Sequence, residues 1–145
     1  MQLGKTVTLT IGLVAHDEKK RDLVAWAGEH KQALEKLNLF ATGTTGNAII
    51  DALGLKISLL KSGPLGGDAQ LGAMIVEGKL DACVFFIDPL TAMPHDVDVK
   101  ALTRLATLYD VPFACNRSTA DAILANLTRQ GAIREAGGID HGGQL

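Results

Sequence analysis

The chain has 145 residues, a net charge of −2, 47% hydrophobic residues and only 4% aromatics. That is enough for one ordinary domain whose core is mostly Leu, Ile, Val and Ala, with no need of disulfide or metal staples. The charge balance gives no support to a nucleic-acid or membrane-surface partner, and no apolar run approaches the roughly 18 residues of a membrane span.

In chain order, "TVTLTIGLVA" from Thr6 to Ala15 is β-branched and nearly continuous, as a buried parallel strand should be. It runs into "HDEKK", which no secretory leader does, so a cytoplasmic protein is expected. Glu18 to Leu37 reads as one helix, with Leu23, Val24, Ala27, Leu34 and Leu37 along one side. "LNLFATG" is a second strand, and "TGNAIIDALG" a short helix closed by Gly54. "LKISLLKSG" is a third strand, and Asp68 to Glu77 a third helix. "LDACVFFI" is a fourth strand, Val97 to Tyr109 a helix, and "VPFACN" a fifth strand. "STADAILANLTR" is a last helix with Ser118 or Thr119 as its cap. Cys83 and Cys115 each lie in an apolar run and read as buried, inert thiols rather than a disulfide or metal pair.

Five alternating βα units predict an α/β fold: a single-domain three-layer sandwich, with a five-stranded parallel sheet and helices on both faces. The domain is expected over residues 1–127, and the glycine-rich residues 128–145 as a C-terminal tail, mobile or ordered by a partner.

In such sheets ligands sit beyond the carboxyl ends of the strands. All five loops at that edge are polar. They bring His16, Asp17 and Lys20; then Thr42, Gly43, Thr44, Thr45, Gly46 and Asn47; then Ser62, Gly63 and Asp68. Asp88, His95, Asp96 and Asp98 follow, and lastly Asn116, Arg117, Ser118 and Thr119. "TGTTG" lets backbone approach an oxyanion while hydroxyls and a helix start supply donors. It is neither a Walker loop nor the dinucleotide fingerprint, so a small phosphate ester fits better than a nucleotide.

Plainer readings stand beside these. Thr44, Thr45 and Ser62 could be caps or turn residues, Asp68 a helix N-cap, and Asp88 before Pro89 a turn starter. Asp98 could be a first-turn acid facing the helix dipole, His95 a surface residue, and Lys20 a solvated charge. His16-Asp17 and His95-Asp96-Val97-Asp98 could also ligate a metal, against which stand the lack of a Cys in the set and the competing charge of Lys20.

The runs "LVAHDEKK", "FATGTTGN", "SGPLGGDAQLGAMI", "DACVFFIDPLTAMPHDVDVKALTRLA" and "PFACNRSTAD" together resemble the methylglyoxal synthases over about residues 9–125. The resemblance implies conversion of dihydroxyacetone phosphate to methylglyoxal and inorganic phosphate, without metal or organic cofactor. It implies Asp68 as the catalytic carboxylate, with His95 at the substrate's carbonyl and hydroxyl oxygens and Asp98 in the same hydrogen-bond network. It implies substrate binding, chiefly of the phosphate, by His16, Lys20, Thr42, Gly43, Thr44, Thr45, Ser62 and Gly63, with Asp17 and Asp88 in support. It also implies a homohexamer on which phosphate acts allosterically. The tail departs from the family pattern: neither Arg129 nor Arg134 can be placed on the basic residue that there reaches a neighbouring subunit's site. A non-catalytic, phosphate-sensing regulatory module on the same fold is the rival reading; only an enzyme needs Asp68 and His95 together.

Overall fold

The computed structural model describes residues 8–90 and 96–140, with side chains described over 8–90 and 99–131. Five strands form the sheet: β1 (Thr10–Ala15), β2 (Asn38–Ala41), β3 (Ser58–Leu59), β4 (Ala82–Phe86) and β5 (Phe113–Ala114). All neighbouring pairs are parallel, in the order β3-β2-β1-β4-β5. The helices are α1 (Lys20–Glu29), α2 (Lys31–Leu34), α3 (Gly43–Leu53), α4 (Gly67–Val76), α5 (Asp96–Leu108) and α6 (Arg117–Asp140). Short 3-10 turns precede α1 at Asp17–Lys19 and α4 at Gly63–Leu65.

The central strands β1 and β4 are buried along their whole length, which is why they read as continuous apolar runs. Alternate side chains feed two cores. Ile11, Leu13, Val84 and Phe86 meet Leu23, Trp26, Ile49, Leu124 and Leu127 from α1, α3 and α6. Val14, Cys83 and Phe85 meet Leu71, Ile75, Leu102 and Ala106 from α4 and α5. These are the two outer layers of the expected sandwich. Each fully buried Leu or Ile contributes about 1.5–3 kcal/mol relative to exposure, so a core of this composition needs few aromatics. Among the described residues no helix is long and apolar enough to cross a membrane.

Several expectations change, and the fifth strand, expected over "VPFACN", keeps only Phe113 and Ala114. The helix expected over Glu18–Leu37 breaks at His30, whose backbone (φ −115°, ψ 24°) leaves the helical region. The broken end is pinned to α6: Asp121 Oδ1 accepts from Trp26 Nε1 at 2.8 Å and lies 3.1 Å from His30 Nε2. The third strand, expected over nine residues, keeps only Ser58 and Leu59, because the chain leaves the sheet edge to build the next loop. The cap of α6 is Asn116, whose Oδ1 accepts the Thr119 N–H at 2.9 Å, not Ser118 or Thr119. That helix also continues to Asp140, past the Arg129 where its sequence pattern stops. Gly54 closes α3 as expected, at φ 70°.

Candidate active site

The strand order reverses direction between β1 and β4, the point where open α/β sheets leave a crevice. A cleft of about 110 Å³ lies there, lined by Val14, Ala15, His16 and Phe85 of these strands' ends, by Lys20 and Thr44, and by Gly63 and Asp68. Asp17, Thr42, Pro64 and Val99 complete its walls. Its volume falls below the roughly 300–1,000 Å³ of pockets for larger ligands.

His16 follows β1 and is buried, at 6% exposure. Its N–H donates to Phe86 C=O (3.1 Å), and its Nδ1 accepts the Asp88 N–H (2.9 Å). A nitrogen that accepts from an amide carries no proton, so the ring proton sits on Nε2 and His16 is a neutral Nε2–H donor. The ring stands edge-on to Phe85, with centroids 5.1 Å apart. Asp88 is itself buried, and its Oδ1 accepts the Leu90 N–H at 3.1 Å across Pro89. The turn-starter reading of Asp88 therefore holds, and the turn it makes aims the amide that sets the His16 tautomer. Lys20 begins α1; its Nζ reaches Asp17 Oδ1 (2.5 Å) and Ala15 C=O (3.4 Å), so its charge is held at the cleft.

The second loop starts α3. Thr42 occupies the N-cap with an extended backbone, and its C=O accepts the Gly46 N–H at 2.7 Å. Thr42 and Thr44 face the cleft, whereas Thr45 points at β1. Its Oγ1 accepts the Ala15 N–H (3.3 Å) and donates to Ala15 C=O (3.5 Å), which ties α3 to the first strand. Gly43 donates its N–H to Lys61 C=O at 3.2 Å. Gly43, Thr45 and Ser62 are not among the residues that line the cleft.

The third loop carries the carboxylate. Ser62 C=O accepts from both Leu65 N–H (3.0 Å) and Gly67 N–H (2.9 Å), which folds the loop back on itself. The N-cap of α4 is Gly66, at φ 108°, and Asp68 is the helix's second residue, not its cap. Gly63 leaves the space beside it: a Cβ there would stand 3.5 and 3.6 Å from the two Asp68 carboxylate oxygens. Of the remaining candidates, His95 lies outside the described residues. Asp98 lies in the first turn of α5, where the backbone alone is described, one residue before the cleft-lining Val99.

The lining residues that sequence reading missed are Val14, Ala15, Pro64, Phe85 and Val99. All are apolar or backbone contributors, and a search for chemistry-bearing side chains passes over them. Their signal is position: Val14 and Ala15 are the last two residues of β1 and Phe85 the next-to-last of β4, the two strands that flank the switch point. Among the described residues no group of three His, Cys, Asp or Glu is placed to hold a metal ion.

The two thiols differ, contrary to the expectation that both are buried. Cys83 is fully buried in the core beneath α4 and α5, and burial, with smaller contributions from Cys115 and Asp68, pushes its pKa up to about 12. Cys115 is exposed, because β5 ends at Ala114 and the chain turns at once into α6; partial burial raises its pKa too. In the native protein at neutral pH an alkylating reagent is therefore expected to modify Cys115 slowly and Cys83 only on unfolding. Peptide mapping after graded exposure checks this; early labelling of Cys83 would contradict its burial.

The MGS-like domain family matches residues 22–115. The chain is 57% identical over 123 residues to a methylglyoxal synthase of Brucella anthropi, an alignment covering 84% of this chain and 98% of that protein. It is 58% identical over 117 residues to that of Pseudoalteromonas atlantica, covering 81% and 87%. A crystal structure of methylglyoxal synthase from Elizabethkingia anophelis superposes with a TM-score of 0.78 at 52% identity, covering 81% of this chain and 78% of that one. Matched at this identity, over nearly the full length of a relative and in three dimensions, the chain belongs to the methylglyoxal synthase family.

Proposed function

We propose that the protein converts dihydroxyacetone phosphate to methylglyoxal and inorganic phosphate. The observation that carries this reading is the meeting of the Asp68 carboxylate, the Lys20 ammonium and the His16 imidazole in one small cleft. Asp68 removes a proton from the hydroxymethyl carbon beside the ketone, and the C–H electron pair becomes that of an enediolate. The neutral Nε2–H of His16 and the side chain of His95 donate to the enediolate oxygens, with Asp98 in their network. The enediolate pair then forms a double bond to the neighbouring carbon as its C–O bond to phosphate breaks. The enol so formed takes up a proton on carbon to give methylglyoxal.

For that second step the C–O bond must stand out of the enediolate plane, so the phosphate must be gripped away from it. Lys20 supplies the charge, Thr44 a hydroxyl, and the α3 start with the Gly63 loop the backbone donors. Thr45 and Ser62 act through their backbone and by holding these loops. The deciding experiment mixes the protein with dihydroxyacetone phosphate and follows both products. Methylglyoxal and phosphate in equal amounts are expected. Phosphate binding without turnover would leave only the sensing module.

No metal takes part in this proposal, because the Lys20 charge beside Asp17 and Asp68 does the work a cation would do. Exhaustive chelation is expected to leave the rate intact; loss of activity restored by a divalent ion would overturn the scheme. We also infer a homohexamer inhibited by phosphate, as the family resemblance implies. Six chains of 15.3 kDa would scatter light as about 92 kDa. A mass of one or two chains would remove the hexamer.

A further inference from the structure

The loop at Ser62 and Gly63 is poorly anchored by its own strand. β3 is two residues long, lies at the sheet edge and, among the described residues, pairs only with β2. After Leu60, whose N–H donates to Ala41 C=O at 2.8 Å, the chain departs from the sheet. The Lys61 backbone then makes two bonds, one through its C=O and one through its N–H. Its C=O accepts the Gly43 N–H at 3.2 Å, at the start of α3. Its N–H donates to Gln70 Oε1 at 2.7 Å. Gln70 belongs to α4, two residues after Asp68, so the two side chains leave that helix on nearly opposite sides. One face of α4 carries the carboxylate while the other holds the peptide that enters the phosphate loop.

We propose that Gln70 is a positioning residue for the reaction. It acts through the Lys61 peptide to hold the Ser62–Gly63 loop, and with it the Gly43 amide, at a set distance from Asp68. Gln70 is itself exposed and does not line the cleft. The proposal rests on the reading that the substrate's phosphate sits at this loop. Loss of the strut loosens the grip equally in the bound substrate and in the transition state, so it raises KM and leaves kcat in place. Asp68 stays where the α4 backbone puts it.

The test compares Gln70→Met and Gln70→Leu, which keep helix propensity but lack an acceptor, with Gln70→Glu, which keeps one. KM for dihydroxyacetone phosphate and the Kd of inorganic phosphate, titrated by calorimetry, are expected to rise together by about three- to tenfold in the Met and Leu proteins, the span of one neutral hydrogen bond. Their kcat should change by less than about twofold, and their melting should stay close to wild type. Gln70→Glu, compared with wild type in salt that screens its added charge, should bind phosphate normally. Unchanged phosphate affinity in the Met and Leu proteins, equal impairment of all three variants, or a fall in kcat at constant KM would each overturn the proposal. Failure of the wild type to make methylglyoxal would instead sink the functional reading, and the calorimetric comparison would still decide the strut.

Discussion

Asp68→Asn is expected to fold, melt close to wild type and still bind inorganic phosphate, yet lose at least ~10³-fold in turnover, the upper range for a positioned acid–base group. The structural side of this expectation is specific. Asp68 is the second residue of α4 and Gly66 holds the cap position, so the substitution removes no N-cap. What the helix loses is one first-turn charge facing its dipole, worth about 0.3–1 kcal/mol. The amide is nearly the same size as the carboxylate, so the space that Gly63 leaves beside it is neither emptied nor overfilled. An amide cannot accept the substrate's proton, however. Exchange of the substrate's C–H with solvent deuterium should therefore disappear together with turnover, which a fault in phosphate departure alone would not produce. Near-normal turnover in the mutant would remove Asp68 from the chemistry. Lost turnover with retained C–H exchange would move it to the phosphate step.

The second large effect is expected at Gly67. A Cβ there would fall 2.0 Å from the Lys61 carbonyl oxygen and 2.9 Å from Thr42 Cγ2. The nearer obstacle is backbone, and no rotamer change can clear it. That carbonyl also accepts from Gly43 N–H, so pushing it aside disturbs two phosphate loops at once. Overpacking of this kind costs about 1–3 kcal/mol and more where backbone must move. Gly67→Ala should lower the denaturation midpoint accordingly and cut activity beyond what the stability loss explains. A variant that melts and turns over like wild type would show that α4 can shift away from Lys61 at no cost.

Much of the architecture was legible because burial writes itself into composition. β1 and β4 lie at the sheet centre, covered on both faces, and so appear as unbroken apolar runs. β3 was over-read because "LKISLLKSG" has the residues of a strand while only Ser58 and Leu59 find a partner; pairing is a long-range fact. The break at His30 escaped notice for a similar reason. Its partner Asp121 is 91 positions away. The polar loops of the site were visible one by one, and their convergence followed from topology alone. The tautomer of His16 was not visible. It is set by the backbone N–H of Asp88, a group every non-proline residue has and no letter of the sequence distinguishes. Asp68 could stand as the cap of α4 in the sequence because Asp is a favoured cap by type, while in the structure Gly66, at positive φ, holds the cap position.

The sandwich also divides the labour of the site between its two outer layers. Lys20 and Thr44 begin α1 and α3, which pack on one face of the sheet, whereas Asp68 begins α4, which packs with α5 on the other. The cation that meets the anion and the carboxylate that takes the proton thus stand on separate helices, facing each other at the crevice between β1 and β4, although α4 also braces the Ser62–Gly63 loop through Gln70. A descendant could lose one without rebuilding the other. Drift at Asp68 alone would silence the reaction and leave a competent anion receptor, while drift at Lys20 and the α3 start would keep a base with nothing to hold beside it. The first route leads to a useful protein and the second does not, so the same scaffold is biased toward yielding binding modules whenever selection for turnover relaxes.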